Sequence, residues 1–260
     1  MIGAGPAGLI AAGRAASCGA PVILLEKNEA PGRKLLITGA GRCNVTTADD
    51  KDIAISRFFG QGRFLYPAFS QFYRPELLDL LAQHGTPCRV DHQGKFFPVS
   101  DRASDVLDAL LRFARSKGVQ IRTQVTVTGI ELRPTDRSSS AVGVAVVDQP
   151  VPQLEGFLIR TNRGDLKACA VILATGGQTY QVTGSTGDGY QLAKQLGLPV
   201  TRIRPALVPL LIREPYIPAL AGLSLPDVAV TLLQDGQKPA RDHGDLKCPP
   251  LSRQYFEKIS

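Results

Sequence analysis

Apolar and polar positions along this chain predict helices and buried strands in turn. Leu9 to Ser17 is rich in small residues and predicts a helix close against a sheet, which Cys18-Gly19-Ala20-Pro21 ends. Val22-Ile23-Leu24-Leu25 follows as a continuous apolar run, typical of a parallel strand covered on both faces. This order of elements indicates an α/β fold built on a parallel sheet.

Helical patterns recur at Pro75 to His84 and at Asp101 to Lys117, where Ser100 is the expected N-cap and Gly118 the C-cap. A further helix is expected to follow the glycine-rich segment Thr183–Gly189 and to end at Gly197. Strands are expected at Val119–Arg122, Val125–Leu132, Ala141–Val147, Phe157–Thr161, Ala170–Ala174 and Val228–Leu233. Ala141–Val147 and Phe157–Thr161 are expected to be strands of an antiparallel meander.

The strongest chemical signal is Gly3-Ala4-Gly5-Pro6-Ala7-Gly8, which fits G-x-G-x-x-G directly before a helix. The first glycine permits a tight turn, the second lets backbone approach a pyrophosphate, and the third allows close packing of helix and strand. The pyrophosphate would then lie at the helix N-terminus, where unpaired N–H groups attract an anion. Glu26, at the end of the next strand, is placed to hold a ribose hydroxyl.

Composition limits the cellular location, the metal content and the partners that we expect for this chain. The chain has 260 residues, 43% of them hydrophobic, with no apolar run long enough to span a membrane. Its five cysteines lack C-x-x-C spacing and its three histidines lack metal-ligand spacing, so we expect reduced thiols, a cytoplasmic location and no metal. The net charge of +7 is dispersed, and we therefore expect neither nucleic acid nor membrane as a partner.

Several longer motifs occur in a fixed order and carry a family resemblance. They are Gly32-Arg33-Lys34-Leu35-Leu36-Ile37-Thr38-Gly39-Ala40-Gly41-Arg42-Cys43-Asn44-Val45-Thr46, Phe97-Pro98-Val99-Ser100-Asp101-Arg102-Ala103, Thr183 to Tyr190, and Pro205-Ala206-Leu207-Val208-Pro209-Leu210. Over roughly residues 1 to 236 the chain resembles the BaiN/RdsA-like (YhiN-like) NAD(P)/FAD-dependent oxidoreductase family.

The resemblance implies a Rossmann-like FAD-binding domain of the two-dinucleotide-binding flavoprotein type, with a β-meander, over residues 1–200. It implies that a β-rich insert domain starts in residues 201–260, which end in an irregular tail. The implied cofactor is FAD, with NADH or NADPH as reductant. The implied reaction passes hydride through the flavin to a small organic acceptor, or oxidises a small amine.

The expected cofactor-binding residues come from the glycine turn, the second strand end, the cationic loop, the meander, the last apolar strand and the last helix start. They are Gly3, Ala4, Gly5, Pro6, Ala7, Gly8, Glu26, Lys27, Arg33, Lys34, Leu35, Gly41, Arg42, Cys43, Asn44, Val127, Ala174, Thr175, Gly176, Gly177, Gly187 and Asp188. For Val127, related flavoproteins use the backbone at this strand to read adenine.

Some of these residues have a second interpretation. Arg33, Lys34 and Arg42 could neutralise the pyrophosphate or hold the flavin edge, or could form a solvated basic loop. Cys43 is expected to be a small packed thiol and not a redox group. Asp188 is expected to cap its helix, with direct catalysis as the alternative. No residue is assigned as the catalytic acid or base, and the oligomeric state stays open.

The chain departs from the family pattern, and the departures at its two ends support an alternative hypothesis. Ala40 stands where the family usually has glycine. Only Met1 and Ile2 precede the glycine turn, and the family continues well beyond Ser260. A truncated, catalytically incompetent FAD-binding remnant is therefore the second hypothesis. A fumarate-reductase-like or tRNA-modifying flavoprotein is the third, suggested by Thr186-Gly187-Asp188-Gly189.

Overall fold

A computed structural model describes residues 1–58, 60–134, 154–204, 215–220 and 223. The chain divides into two compact units, Met1–Arg202 and Ile203–Ser260. Within the described part of the second unit there is one short 3₁₀ turn, Ile217–Leu220. The strands expected at 141–147 and 228–233 and the tail lie outside the described residues, and the domain boundary near residue 200 stays a prediction.

The first unit contains seven α-helices and eight strands among its described residues. The helices are α1 Pro6–Ser17, α2 Arg33–Leu36, α3 Lys51–Ser56, α4 Tyr66–Gln71, α5 Arg74–Gln83, α6 Ala103–Ser116 and α7 Asp188–Gln195. The strands are β1 Ile23–Leu25, β2 Thr46–Thr47, β3 Cys88–Val90, β4 Lys95–Pro98, β5 Gln120–Arg122, β6 Val127–Pro134, β7 Leu154–Thr161 and β8 Leu166–Ala168.

A parallel sheet forms the centre of this unit. Strand β1 pairs in parallel with β5, and on its other side Ile2 forms parallel bridges to both Leu25 and Leu173. The N–H of Ile2 donates to the Ile172 carbonyl at 3.0 Å, and the N–H of Ala174 donates to the Ile2 carbonyl at 2.8 Å. Met1 pairs with β1 as well, because the N–H of Leu25 donates to the Met1 carbonyl at 3.0 Å. Met1 and Ile2 therefore occupy the central strand position directly before the glycine turn.

Two layers cover the parallel sheet. Leu24 packs with residues of α1 and α6, whereas the next residue, Leu25, packs with the meander and with Leu192 of α7. Successive strand side chains point to opposite faces, so both faces of β1 are buried. The meander is antiparallel, with β7 between β6 and β8. The result is a three-layer arrangement of helices, parallel sheet and meander.

Helix α6 shows why the helical layer forms. Its apolar residues recur every three or four positions, and Val106, Leu110 and Phe113 are buried on the face toward the core. Helix α1 approaches it closely at Gly13, where an added Cβ would overlap the Phe113 ring. The small residues of α1 therefore serve helix–helix contact as well as contact with the sheet.

Several expected boundaries are wrong. Helix α1 begins at Pro6, because proline suits a first helical turn, and α6 begins two residues later than expected. Ser100 is not its N-cap: Arg102 holds that position with extended backbone, and Asp101 adopts φ +54°. Helix α7 covers Asp188–Gln195 only.

The apolar segment 170–174 is a weaker strand than its composition suggests. It meets the sheet through the bridge at Leu173, and Ile172 is 46% exposed. The expected cationic loop around Arg33, Lys34 and Arg42 contains α2 and a tight turn at Thr38–Gly41. The small sheet in which β4 lies between β2 and β3 was not expected. Among the described residues, no helix is long and apolar enough to cross a membrane.

Candidate functional site

A cleft of about 230 Å³ lies where the parallel strands end. It brings together most of the residues expected to bind the cofactor: Gly3, Gly5, Pro6, Ala7, Glu26, Lys27, Arg33, Lys34, Leu35, Val127, Ala174, Thr175, Gly176 and Asp188. The other expected residues do not line it: Ala4, Gly8, Gly41, Arg42, Cys43, Asn44, Gly177 and Gly187. Ala4 and Gly8 belong to the turn itself, beneath the cleft surface.

The three glycines of the turn differ in what surrounds them. Gly3 has φ +98°, and a Cβ there would lie 2.5 Å from the Ala174 carbonyl oxygen. A Cβ on Gly8 would overlap the carbonyl oxygen of Gly3. At Gly5, by contrast, no atom in the described part of the chain lies within 4 Å of an added Cβ, so its open side faces the cleft. Two glycines close the turn, and the middle one leaves room beside the backbone.

The beginning of α1 is suited to an anion. Gly5 is the N-cap and provides no side-chain cap, and Pro6, which has no N–H, follows it. The first N–H groups of a helix have no partner within the helix, and the helix dipole adds positive charge there. Gly5, Pro6 and Ala7 all line the cleft. A dinucleotide pyrophosphate fits this combination of open space and N–H donors.

Glu26 is buried at 7% exposure, and its carboxylate is well supplied with donors. Ala4 N–H donates to Oε2 at 2.9 Å, while Asn28 donates to Oε1 from its backbone at 2.9 Å and its side chain at 2.7 Å. A carboxylate offers about four acceptor positions. Glu26 therefore orders the glycine turn and keeps acceptor capacity for a hydroxyl. Asn28, which lies two residues beyond the strand-end carboxylate, was missed by the sequence analysis.

Three side chains tie the segment Thr179–Asp188 to the β1 side of the cleft. Lys27 Nζ donates to Asp188 Oδ2 at 2.6 Å and also to the Thr186 hydroxyl. Lys34 Nζ donates to Thr179 Oγ1 at 2.7 Å. The Asn28 side chain donates to the carbonyl of Thr183 at 3.3 Å. Lys27, Lys34 and Asp188 were expected to contact the cofactor. In the structure, Lys27 binds Asp188 and Lys34 binds Thr179 across this rim.

The helix-cap interpretation of Asp188 is wrong. Gly187, with φ +84°, is the N-cap of α7, and Asp188 is the first helical residue. Partial burial acts to raise the pKa of Asp188, but hydrogen bonds from Lys27 and Thr186 and the charge of Lys27 outweigh it, so that this pKa is lowered. The carboxylate is thus ionised and bound to side chains.

The segment Gly39–Asn44, here the second loop, closes on itself. Cys43 N–H donates to the Thr38 carbonyl at 3.0 Å, and Arg42 N–H donates to the Gly39 carbonyl at 3.1 Å. Left-handed backbone occurs at Gly39, Gly41 and two non-glycine residues, Ala40 with φ 55° and Cys43 with φ 62°. The loop therefore stores backbone strain.

Arg42 makes contacts on the outer side of the second loop. Its guanidinium lies 4.0 Å from the centre of the Phe97 ring, and its Nε donates to Asp101 Oδ1 at 3.1 Å. Arg89 pairs with the other oxygen of Asp101 at 2.5 Å. Desolvation acts to raise the pKa of Asp101, but the guanidinium groups of Arg42 and Arg89 outweigh it and lower this pKa. These contacts lie outside the cleft, and they favour the alternative interpretation of Arg42 as part of a basic loop over a cofactor contact.

Cys43 has the environment of a packed thiol. It is 5% exposed, and burial raises its pKa although a hydrogen bond with Thr38 acts the other way. Burial and the nearby Cys43 also raise the pKa of Cys88 to about 11. Because the thiolate is the reactive form, both groups are unreactive at neutral pH. Among the described residues, no cluster of three or more histidine, cysteine or acidic side chains could hold a metal.

Comparison with known proteins gives the family. The model of the HI0933-like protein Rossmann domain matches residues 1–240, so the chain belongs to this family. The predicted resemblance and the Rossmann-like α/β fold class are confirmed. The assignment to FAD-dependent oxidoreductases is also confirmed, at the level of the family.

Curated relatives cover nearly the whole chain. A 3-dehydro-bile acid delta(4,6)-reductase of Clostridium scindens is 32% identical over 95% of this chain and 55% of its own length. Ribosomal RNA dihydrouridine synthases of Haemophilus influenzae and Escherichia coli are both 28% identical over 90% and 88% of this chain. They are covered over 54% and 52% of their own lengths. The chain thus spans about half the length of these relatives. The two synthase names run against the expectation that nucleic acid is not a partner.

Proposed function

We propose that this chain binds FAD in the cleft and is the cofactor-binding part of an oxidoreductase that takes electrons from NADH or NADPH. The observation that carries the proposal is the environment of Gly5. Its open side faces free space at an uncapped helix N-terminus, and Glu26 lies at the end of the neighbouring strand. Open backbone, helix N–H groups and a carboxylate are the groups that a dinucleotide needs.

Each wall of the cleft has a role in this proposal. The N-terminus of α1 and the guanidinium of Arg33 hold the pyrophosphate, and Glu26 accepts from a ribose hydroxyl. Val127, 9% exposed at the start of β6, packs where adenine would lie. Bound FAD would supply hydride transfer through its flavin ring. The protein residues bind and orient it.

A small organic molecule is the acceptor that we favour, because the relative with 32% identity is named as a bile-acid reductase. Ribosomal RNA is the second candidate, supported by the two synthase names and by the net charge of +7. Electrostatic RNA binding weakens steeply with salt. We expect no RNA complex to survive physiological salt, and a complex that does would favour the second candidate.

The direct test of the proposed function is purification followed by FAD titration. We expect yellow protein, or uptake of added FAD with quenched flavin fluorescence. Anaerobic NADPH or NADH should then bleach the visible flavin band. Colourless protein that takes up no FAD would contradict the proposal. Binding without bleaching by either nicotinamide would remove only the assigned reductant.

A further inference from the structure

Ser185 is a cleft residue to which the sequence analysis gave no role. It lies in the segment before α7, lines the cleft, and is only 7% exposed. Serine hydroxyls at such depth are normally hydrogen-bonded, because burying an unpaired polar group costs free energy. The partner of this hydroxyl is therefore informative.

Among the described residues, the Ser185 hydroxyl makes no hydrogen bond, unlike the hydroxyls on either side. Thr183 Oγ1 donates to the Tyr180 carbonyl at 2.7 Å, and Thr186 Oγ1 donates to Asp188 Oδ1 at 2.6 Å. In the described part of the chain, no fully enclosed side-chain oxygen or nitrogen lacks a partner. The Ser185 oxygen is therefore open to the cleft and not sealed within protein.

The neighbours of Ser185 indicate which end of the cleft it faces. An added Cβ at Gly176 would lie 3.6 Å from Ser185 Oγ, so the strand-end backbone runs beside the hydroxyl. The preceding residue, Gly184, lies against the side-chain amide of Asn28. That amide donates to Glu26 Oε1 at 2.7 Å. Ser185 thus belongs to the same end of the cleft as the carboxylate expected to hold ribose.

We infer that the Ser185 hydroxyl is a binding group for the adenosine diphosphate half of the dinucleotide. The inference rests on the proposed function, because it concerns the same cleft. A hydroxyl can donate to a phosphate oxygen or accept from a ribose hydroxyl, so it suits either part of this half. Binding would give the buried hydroxyl the partner that the described residues do not provide.

The test compares Ser185→Ala with Ser17→Ala in the full chain. Ser17 is a matched control, because its hydroxyl donates to the Gly13 carbonyl at 2.8 Å at the far end of α1. We expect Ser185→Ala to raise the Kd for FAD about 3- to 10-fold, the range for one lost hydrogen bond. The Kd for ADP alone should rise by the same factor, and Tm should not change. Ser17→Ala should leave both dissociation constants unchanged.

The outcomes separate this inference from the proposed function. Wild-type protein that binds neither FAD nor ADP would overturn both. Wild-type protein that binds them, with Ser185→Ala binding equally well, would overturn only the role of Ser185. If Ser185→Ala weakens FAD binding but leaves ADP binding unchanged, the assignment of Ser185 to the adenosine diphosphate half would be overturned. If Ser185→Ala lowers Tm, Ser185→Cys keeps the side-chain volume, and native ADP affinity in that folded variant would count against the inference.

Discussion

The glycine turn at Gly3–Gly8 and the second loop at Gly39–Asn44 are both glycine-rich, and both were expected to hold the cofactor. In the turn, Gly5 has free space beside it and a helix begins directly after it. In the second loop, backbone hydrogen bonds close the chain on itself, and Arg42 is engaged by Phe97 and Asp101.

The difference shows that glycine content alone does not make a ligand site. In the turn, the N–H groups of the next helix remain free for a ligand, and the parallel strands end beside them. In the second loop, glycine and two non-glycine residues adopt left-handed backbone that the surrounding contacts hold. One segment leaves its polar groups available, and the other uses them internally.

The largest expected contrast is in stability. Gly8→Ala places a Cβ against the Gly3 carbonyl, which is backbone and cannot move aside. We expect a loss of about 2–4 kcal/mol in the free energy of unfolding. Gly41→Ala, with φ +85° and open space, should lose only about 1 kcal/mol. Urea unfolding measures both losses. Equal losses would contradict the difference in packing between the glycine turn and the second loop.

The second contrast is in FAD affinity. Arg33→Gln removes a cation that lines the cleft and whose described hydrogen bond, to Asn28 Oδ1, is long at 3.5 Å. We expect the Kd for FAD to rise about 5- to 10-fold, and less at high salt. Arg42→Gln, the matched change in the second loop, should change Kd less than about 2-fold because that side chain is outside the cleft. The reverse order would place the cofactor at the second loop.

A third change tests the strain in the second loop. Ala40 has φ 55°, a conformation that costs alanine energy and glycine little. Ala40→Gly should therefore raise the free energy of unfolding by up to about 1 kcal/mol. The control Ala82→Gly, on the exposed side of helix α5, should lower it by about 1 kcal/mol. Thermal or urea unfolding measures both changes. If the two substitutions change the free energy of unfolding in the same direction, Ala40 is not strained.

The smallest expected effect is the pH dependence of the Lys27–Asp188 pair. The folded pKa of Asp188 lies below its ordinary value of 3.8. The pair therefore stabilises the fold above that pH, and its contribution is lost as pH falls through the lower folded pKa. Lys27→Met should cost about 0.5 kcal/mol at neutral pH, measured without FAD. The difference from wild type should vanish in strong acid, and a constant difference would contradict the assigned partner.

The sequence predicted the fold class and the centre of the site because those features are local. Gly3–Gly8, the helix after it and the strand ending at Glu26 are close in the chain, and their pattern is specific. Asn28 and Ser185 were missed because their positions depend on contacts between distant segments. The signal for Ser185, one of two polar residues between Gly184 and Gly187 before a helix, exists in the sequence but also fits an ordinary loop.

Other expectations failed for tertiary reasons. Segment 170–174 is apolar, yet it meets the sheet only through the short contact with Ile2, so it does not become a fully buried strand. Asp188 was expected to cap its helix, but Lys27 lies close enough to bind its carboxylate. In both cases the residue types were read correctly from the sequence. The residues that contact them in the fold could not be predicted from it.

The central claim, that the glycine turn binds FAD, is tested most directly by Gly5→Ala. The added methyl meets no atom of the described residues, so the loss in stability should stay below about 1 kcal/mol. It would occupy the space that the account gives to the pyrophosphate. We therefore expect the Kd for FAD to rise at least about 10-fold. Gly129→Ala, a strand position where a Cβ has only ordinary contacts, should leave Kd unchanged. Wild-type FAD affinity in folded Gly5→Ala protein would contradict the account.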